Sequence, residues 1–304
     1  MTSSAPAKRT GAPRPTDPAD SGAPADGGRA TRRTRRSYAL VVGCVLAGLI
    51  ALLALVSLFW LPFAADDTSG GRLTAPGAEH PLGTDKLGRD LLTQLMTGSR
   101  IAFEAGLGSV LIAAVLGGAL GVLAAFAQGW LDDTVSAFLD ILIAFPTLLL
   151  AMLIVAARSA TLGSAVLAIG LAQSAVVARL VRILVKRVLA QDYITAARTS
   201  GTSWPRIVAG HVLPNIWPTL VVNLALQFGL AVLAEAGLSY LGLGAPPPNA
   251  SWGRMLQEAQ ATFTTAPAGA LAPGILLVLL VIGVNLVADG LRETLDPTTR
   301  RRRA

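Results

Sequence analysis

The sequence predicts an all-α, polytopic membrane protein with six transmembrane helices. Three observations carry that prediction. The 304 residues are 53% hydrophobic and only 14% charged, against roughly 25% charged residues in a soluble domain. Charged side chains divide the chain into six uncharged runs long enough to cross a bilayer. Alternating segments of roughly 10 residues, the mark of a membrane β-barrel, are absent.

Residues 1–37 are rich in Pro, Ala, Gly, Ser, Thr and Arg and almost free of large apolar side chains. Such a stretch buries too little surface to offset its ordering entropy, so a disordered basic tail is expected there. It ends in Arg32, Arg33, Arg35 and Arg36. Its start is too polar for a typical signal peptide, and no A-x-A site follows the first apolar run, which therefore reads as retained. That run is 29 uncharged residues, 37–65, and predicts a first transmembrane helix over 38–63. An exterior loop, 64–100, follows. Within it Leu87, Leu91, Leu92, Leu95 and Met96 share a helical face and Asp85 can cap the start, so a helix lying on the membrane surface is expected.

Residues 101–291 hold the remaining five spans. Their uncharged runs measure 27 residues (105–131), 17 (141–157), 20 (159–178), 28 (207–234) and 30 (259–288). A helix needs roughly 17–25 residues to cross the hydrocarbon core, and lipid forces each segment to satisfy its own backbone. A basic tail, 292–304, closes the chain. With the N-terminus in the cytoplasm and six alternating spans, segments 1–37, 179–206 and 288–304 carry 19 of the 25 Lys and Arg residues. That asymmetry puts both termini inside a plasma membrane. The basic tails read as orientation signals and contacts with membrane lipid, with no nucleic acid implied.

Catalytic chemistry has no foothold in this sequence. The three lysines, Lys8, Lys86 and Lys186, follow Ala7, Asp85 and Val185, so the Gly-Lys pair of a phosphate-binding loop is missing. G-x-S-x-G, H-E-x-x-H and C-x-x-C are missing too. Cys44 stands alone, and His80 and His211 are far apart, so no metal site and no cofactor are expected in this chain. His80 reads as an exposed loop residue and His211 as a solvated or capping one.

The segment after the fourth run is different. Arg179, Arg182, Lys186 and Arg187 precede QDYITAARTSGTSWPRIVAGHVLPNIWPTL, residues 191–220. It reads as two short helices joined at Gly201, where a left-handed residue can end the first. Asp192 can cap the first helix, and Thr202 or Ser203 the second, with Pro205 in its first turn. Ala196 and Ala197 allow close approach of a partner. Pro214 and Pro218 stiffen the return to the membrane.

Ala196-Ala197, then Gly201, then Val212-Leu213-Pro214-Asn215 resemble the cytoplasmic coupling loop of bacterial ABC-importer permeases. Tyr193 also fits; the family's usual glutamate is Thr195 here, which leaves out one charged contact. HPLGTDKLGRDLL, EAGLSYLGLGAPPPNASWGRML and NLVADGLRETLDP look like segments of the dipeptide/oligopeptide/nickel subfamily, and resemble its second, C-type permease subunit. Four segments in order, covering about 80–298, make the resemblance specific. It implies a type I ABC-importer permease fold in a bacterial inner membrane, with coupling loop 191–211 inside the 101–291 core. It also implies a second homologous permease forming a heterodimer, two ABC ATPase subunits that use ATP and Mg, and an extracellular substrate-binding protein. Coupling to the ATPase falls to Tyr193, Thr195, Ala196, Ala197, Gly201, Leu213 and Pro214. The expected cargo is a dipeptide or oligopeptide, with nickel chelates, glutathione or another small solute as alternatives. An ion-gradient-driven secondary transporter is the competing class, and the scarcity of ionisable groups within the spans opposes it.

Polar residues in the spans have two readings. Asn223, Gln227 and Glu235 could line a translocation path. Glu235 ends its run, which favours a side chain reaching the exterior interface. Gln173 and Asn285 suit interhelical hydrogen bonds. Trp60, Trp130, Trp217, Tyr240 and Trp252 fall near run ends, where they would anchor at the membrane surface.

Overall fold

The computed structural model describes residues 27–127 and 129–295. Helix dominates, and the β contact is an isolated bridge between Thr84 and Asp90. The first helix, α1 (Gly27–Phe59), begins earlier than its uncharged run. Of the tail expected to be disordered, residues 1–26 lie outside the described residues and 27–37 are helical. The last proline of that tail is Pro24, so nothing beyond it interrupts the α1 hydrogen-bond ladder. α1 packs on the last helix, α11 (Ala268–Leu295), and a Cβ at Gly43 would stand 2.8 Å from the Gly283 carbonyl oxygen. Residues 296–304 lie outside the described residues.

The surface helix expected within 80–100 is instead the start of the second span. α2 (Leu91–Ile112) runs through a π turn, Ala113–Gly117, into α3 (Gly118–Ala125) as one 35-residue helix. Its cap is Asp90, whose Oδ2 accepts the Thr93 N–H at 2.7 Å, and not Asp85. Gly88, at φ +85°, reverses the chain between the two aspartates, so a helix cannot run through from Asp85. Glu104, which bounds the second uncharged run, pairs with Arg100 one turn away at 3.0 Å within α2.

The third run is broken. α4 (Trp130–Ala144) and α5 (Thr147–Ala156) meet at 86°. Phe145-Pro146 causes the break: the residue before a proline is driven out of the helical region, and Phe145 has ψ 129°. The described residues therefore hold five helices long and apolar enough to cross a membrane, and a sixth crossing if the bent pair is one span.

α6 (Leu162–Leu189) is the central helix, touching α2, α3, α4, α5 and α9 (Leu213–Tyr240). Thr161 and Ser164 close a capping box at its start. Small residues set its contact with the second span. A Cβ at Gly117 or Gly121 would stand 2.5 Å from the carbonyl oxygens of Ser174 and Ala178, respectively, so backbone meets backbone. Its basic last turns extend past the uncharged run and find partners. Asp132 of α4 pairs with Arg182 and Lys186, and Asp140 with Arg179 at 3.2 Å.

Candidate functional site

The chain leaves α6 and turns at once into α7 (Asp192–Thr199). Gln191 holds the N-cap position and Asp192 is the first helical residue, so the expected Asp192 cap is absent. Its carboxylate still complements the positive end of the helix dipole. Gly201 follows at φ +83°, the left-handed conformation that its place demanded. The expected second short helix is not separate. α8 (Trp204–Ile207), with Pro205 in its first turn, passes through a π turn, Val208–Val212, into α9. Trp204–Tyr240 is one helix of 37 residues. Pro214 offers no N–H to the Gly210 carbonyl, and a widened turn absorbs that misfit. Ser203 holds the N-cap without a side-chain bond.

Two isoleucines hold this loop. Ile194 and Ile207 are 2% and 0% exposed and join Val185, Val188, Val212, Ile216 and Ala125 in one buried cluster. Burying such a side chain stabilises by roughly 1.5–3 kcal/mol. With Ile194 inward, Tyr193, Thr195 and Ala196 are exposed and Ala197 is half-buried. Gly201, Leu213 and Pro214 are exposed as well. The Tyr193 hydroxyl accepts from Asn215 Nδ2 at 2.8 Å, and its ring lies 6.1 Å from the exposed His211 ring. Tyr193 therefore joins the Leu213-Pro214 turn, while Thr195 and Ala196 form the outer ridge of α7. A ridge capped by methyl groups leaves room for another surface to come close. Composition did not single out Ile194 and Ile207, although they are the isoleucines of a largely polar loop.

The α9 polar residues are packed, not open. The Gln227 carbonyl accepts from Gln173 Nε2 at 3.0 Å, the interhelical bond expected of Gln173. Gln173 Oε1 and Asn223 Oδ1 are buried with no hydrogen-bond partner among the described residues. Asn285 is exposed. Glu235 does not reach the membrane surface as its place in the run suggested. It is 2% exposed and accepts from Ser239 Oγ at 2.5 Å, because the segment after α9 folds back over it.

That segment contains α10 (Trp252–Ala259), at the opposite end of the bundle from α7. Trp252 is 1% exposed and donates from Nε1 to the Leu95 carbonyl at 3.1 Å, so it is a core wedge and not an interfacial anchor. Trp60, Trp130, Trp217 and Tyr240 are exposed. A chain of charges joins α10 to the loop before α2. Arg89 contacts Asp85 at 2.7 Å and Glu258 at 2.5 Å, and Glu258 also accepts from Arg254 at 2.8 Å. Asp85 further accepts the N–H groups of Leu87 and Arg89 and the Gln94 amide. His80, expected on the surface, is buried: Nδ1 lies 3.0 Å from Asp90 and the ring 4.7 Å from Phe63.

Comparison with known proteins bears on the family and the fold. Residues 117–301 match the family model described as "Binding-protein-dependent transport system inner membrane component". The chain is 36% identical over 269 residues to a dipeptide transport system permease protein of Alkalihalophilus pseudofirmus, covering 88% of each chain. It is 38% identical over 261 residues to a glutathione transport system permease protein of Pectobacterium atrosepticum, covering 83% of this chain and 86% of that one. An inward-facing structure of the MetNI methionine ABC transporter aligns with a TM-score of 0.57 at 21% identity, over 67% of this chain and 96% of its own. That likeness bears on the fold alone.

Proposed function

Because this chain belongs to the family of binding-protein-dependent transport system inner membrane components, we propose that it is the permease subunit of an ATP-driven importer of dipeptides or oligopeptides. The observation that carries the proposal is the α7 ridge. Ala196 is exposed and Ala197 half-buried on α7, Gly201, Leu213 and Pro214 are exposed after it, and Ile194 and Ile207 hold the loop from beneath. The α7 end faces the cytoplasm, in line with its basic residues, and the α10 end faces outward. Two separate ATPase subunits bind ATP and Mg and load α7, a second homologous permease completes a heterodimer, and an extracellular binding protein delivers cargo on the α10 side. ATPase closure pushes α7, the bundle opens outward, and hydrolysis resets it.

The test is uptake of a radiolabelled dipeptide by the assembled transporter carrying Ala196→Lys, or Gly201→Asp. Ala196 is exposed, so the lysine leaves the fold alone and obstructs only the partner. Loss of ATPase capture and of uptake is expected; wild-type uptake with wild-type ATPase capture would sink the coupling role. A second cargo, glutathione, is favoured by the relative named for it. One relative is named for dipeptides and the other for glutathione, and mass spectrometry of ligand released from the binding protein separates the two readings.

A further inference from the structure

We propose that Trp204 is a transmission pin that carries the movement of α7 sideways into the second span through Phe126. This rests on the reading of α7 as the surface that an ATPase loads. The Phe126 ring meets the Trp204 indole edge-on, with centroids 5.1 Å apart at 75°. On the same indole lies the Arg198 guanidinium, 4.2 Å from the ring centroid. Arg198 Nη1 also donates to the Thr202 carbonyl at 3.1 Å. Arg198 closes α7 and Trp204 opens α8, so this stack bridges the Gly201 turn. The turn itself is closed by backbone bonds, the Gly201 and Thr202 N–H groups donating to the Arg198 and Ala197 carbonyls at 2.9 and 3.0 Å, and the side-chain stack lies across it.

Phe126 sits at the C-cap of α3, the end of the 35-residue helix that begins beside Asp90. At 1.5 Å per residue that helix is a lever about 50 Å long. It cannot slide freely on α6, since Gly117 and Gly121 bring the two backbones into direct contact. A push on Phe126 therefore moves α3 and α6 together. At the far end the same helix holds Trp252 through Leu95, so the displacement arrives at α10. Trp204 is 40% exposed and Phe126 half-buried, so the ring contact lies at the edge of the bundle.

The test uses the complete transporter in proteoliposomes, with uptake of a radiolabelled dipeptide, and glutathione in parallel, counted per ATP hydrolysed. Phe126→Leu keeps apolar bulk and removes the ring. ATPase capture stays at the wild-type level and uptake per ATP falls at least fivefold. Trp204→Ala produces the same loss, and Trp204→Phe restores at least half, because a ring again meets Phe126. The double variant is no worse than either single one, since both break one link. Uptake per ATP within twofold of wild type in Phe126→Leu overturns the pin, as do losses that multiply in the double variant. A wild-type chain that captures no ATPase overturns the importer reading and the pin with it. The two failures are distinct, because only the second appears without any substitution.

Discussion

Replacing Arg89 with methionine would break the charge chain that ties α10 to the loop before α2. The Arg89, Asp85 and Glu258 side chains are 10%, 11% and 12% exposed, so water would screen the vacated charges poorly. Removing one partner of a buried pair typically costs about 3–5 kcal/mol. Two features lower the figure here. Asp85 keeps the N–H groups of Leu87 and Arg89 and the Gln94 amide, and Glu258 keeps Arg254. Methionine also preserves much of the apolar stem. The expected cost is about 2–3 kcal/mol, by discounting that range, or roughly 30- to 150-fold in the folding equilibrium. Arg89→Lys would not rescue it, because a point charge cannot reproduce the fork that spans two carboxylates. Equilibrium unfolding in mixed micelles, followed by tryptophan fluorescence, measures the loss for Arg89→Met, Glu258→Gln and the double variant. The two residues share a contact, so the double variant should cost less than the sum by about 1 kcal/mol. A single-variant cost under about 0.5 kcal/mol, or strict additivity, would refute the assigned chain.

Two further outcomes follow from the packing. Gly121→Leu should separate α3 from α6 at a cost of about 3 kcal/mol or more, seen as a loss of monodisperse protein in detergent chromatography; normal yield would show that the backbones do not touch. Trp252→Phe should cost roughly 1 kcal/mol in the same unfolding assay, for the lost bond to Leu95, and an unchanged midpoint would remove that bond from the account.

Most of the helices were legible as charge-free runs, because lipid penalises charge and leaves its mark on every residue of a span. The failures have particular causes. Counting uncharged residues passes over Pro146, so the bend between α4 and α5 went unseen although the Phe145-Pro146 pair was in plain view. Arg100 and Glu104 looked like a boundary because a run count cannot tell a neutralised pair one helical turn apart from two solvated charges. Glu235 and Trp252 were placed at surfaces because each lies near a run end, and His80 because it lies in a loop. Glu235 and Trp252 are buried by the segment after α9 folding back, which brings Trp252 onto Leu95, 157 residues away in sequence, and His80 is buried against Asp90 and Phe63; no periodicity records these contacts. In the candidate site, Ala196, Ala197 and Gly201 were legible as small residues around a helix end, and their grouping with Leu213 and Pro214 came from the resemblance to the coupling loop. Ile194 and Ile207 were not legible, since their partners Val185 and Ala125 come from other helices.

The π turn at Ala113–Gly117 has a consequence for chain length. Ser109, Ala113, Gly117 and Gly121 all face α6, at steps of four residues. In an unbroken α-helix each such step drifts by about 40°, so the outer two would diverge by about 120°. One extra residue in the turn takes back about 100° of that and returns the small side chains to a single line. The turn works like a vernier, converting a count of residues into an angle. Deleting one residue there would let the turn close into ordinary α-helix, with about eleven steps of about 100° from Ser109 to Gly121, and keep Gly121 within about 20° of the seam, so the turn is where the helix stores a surplus residue without losing its alignment.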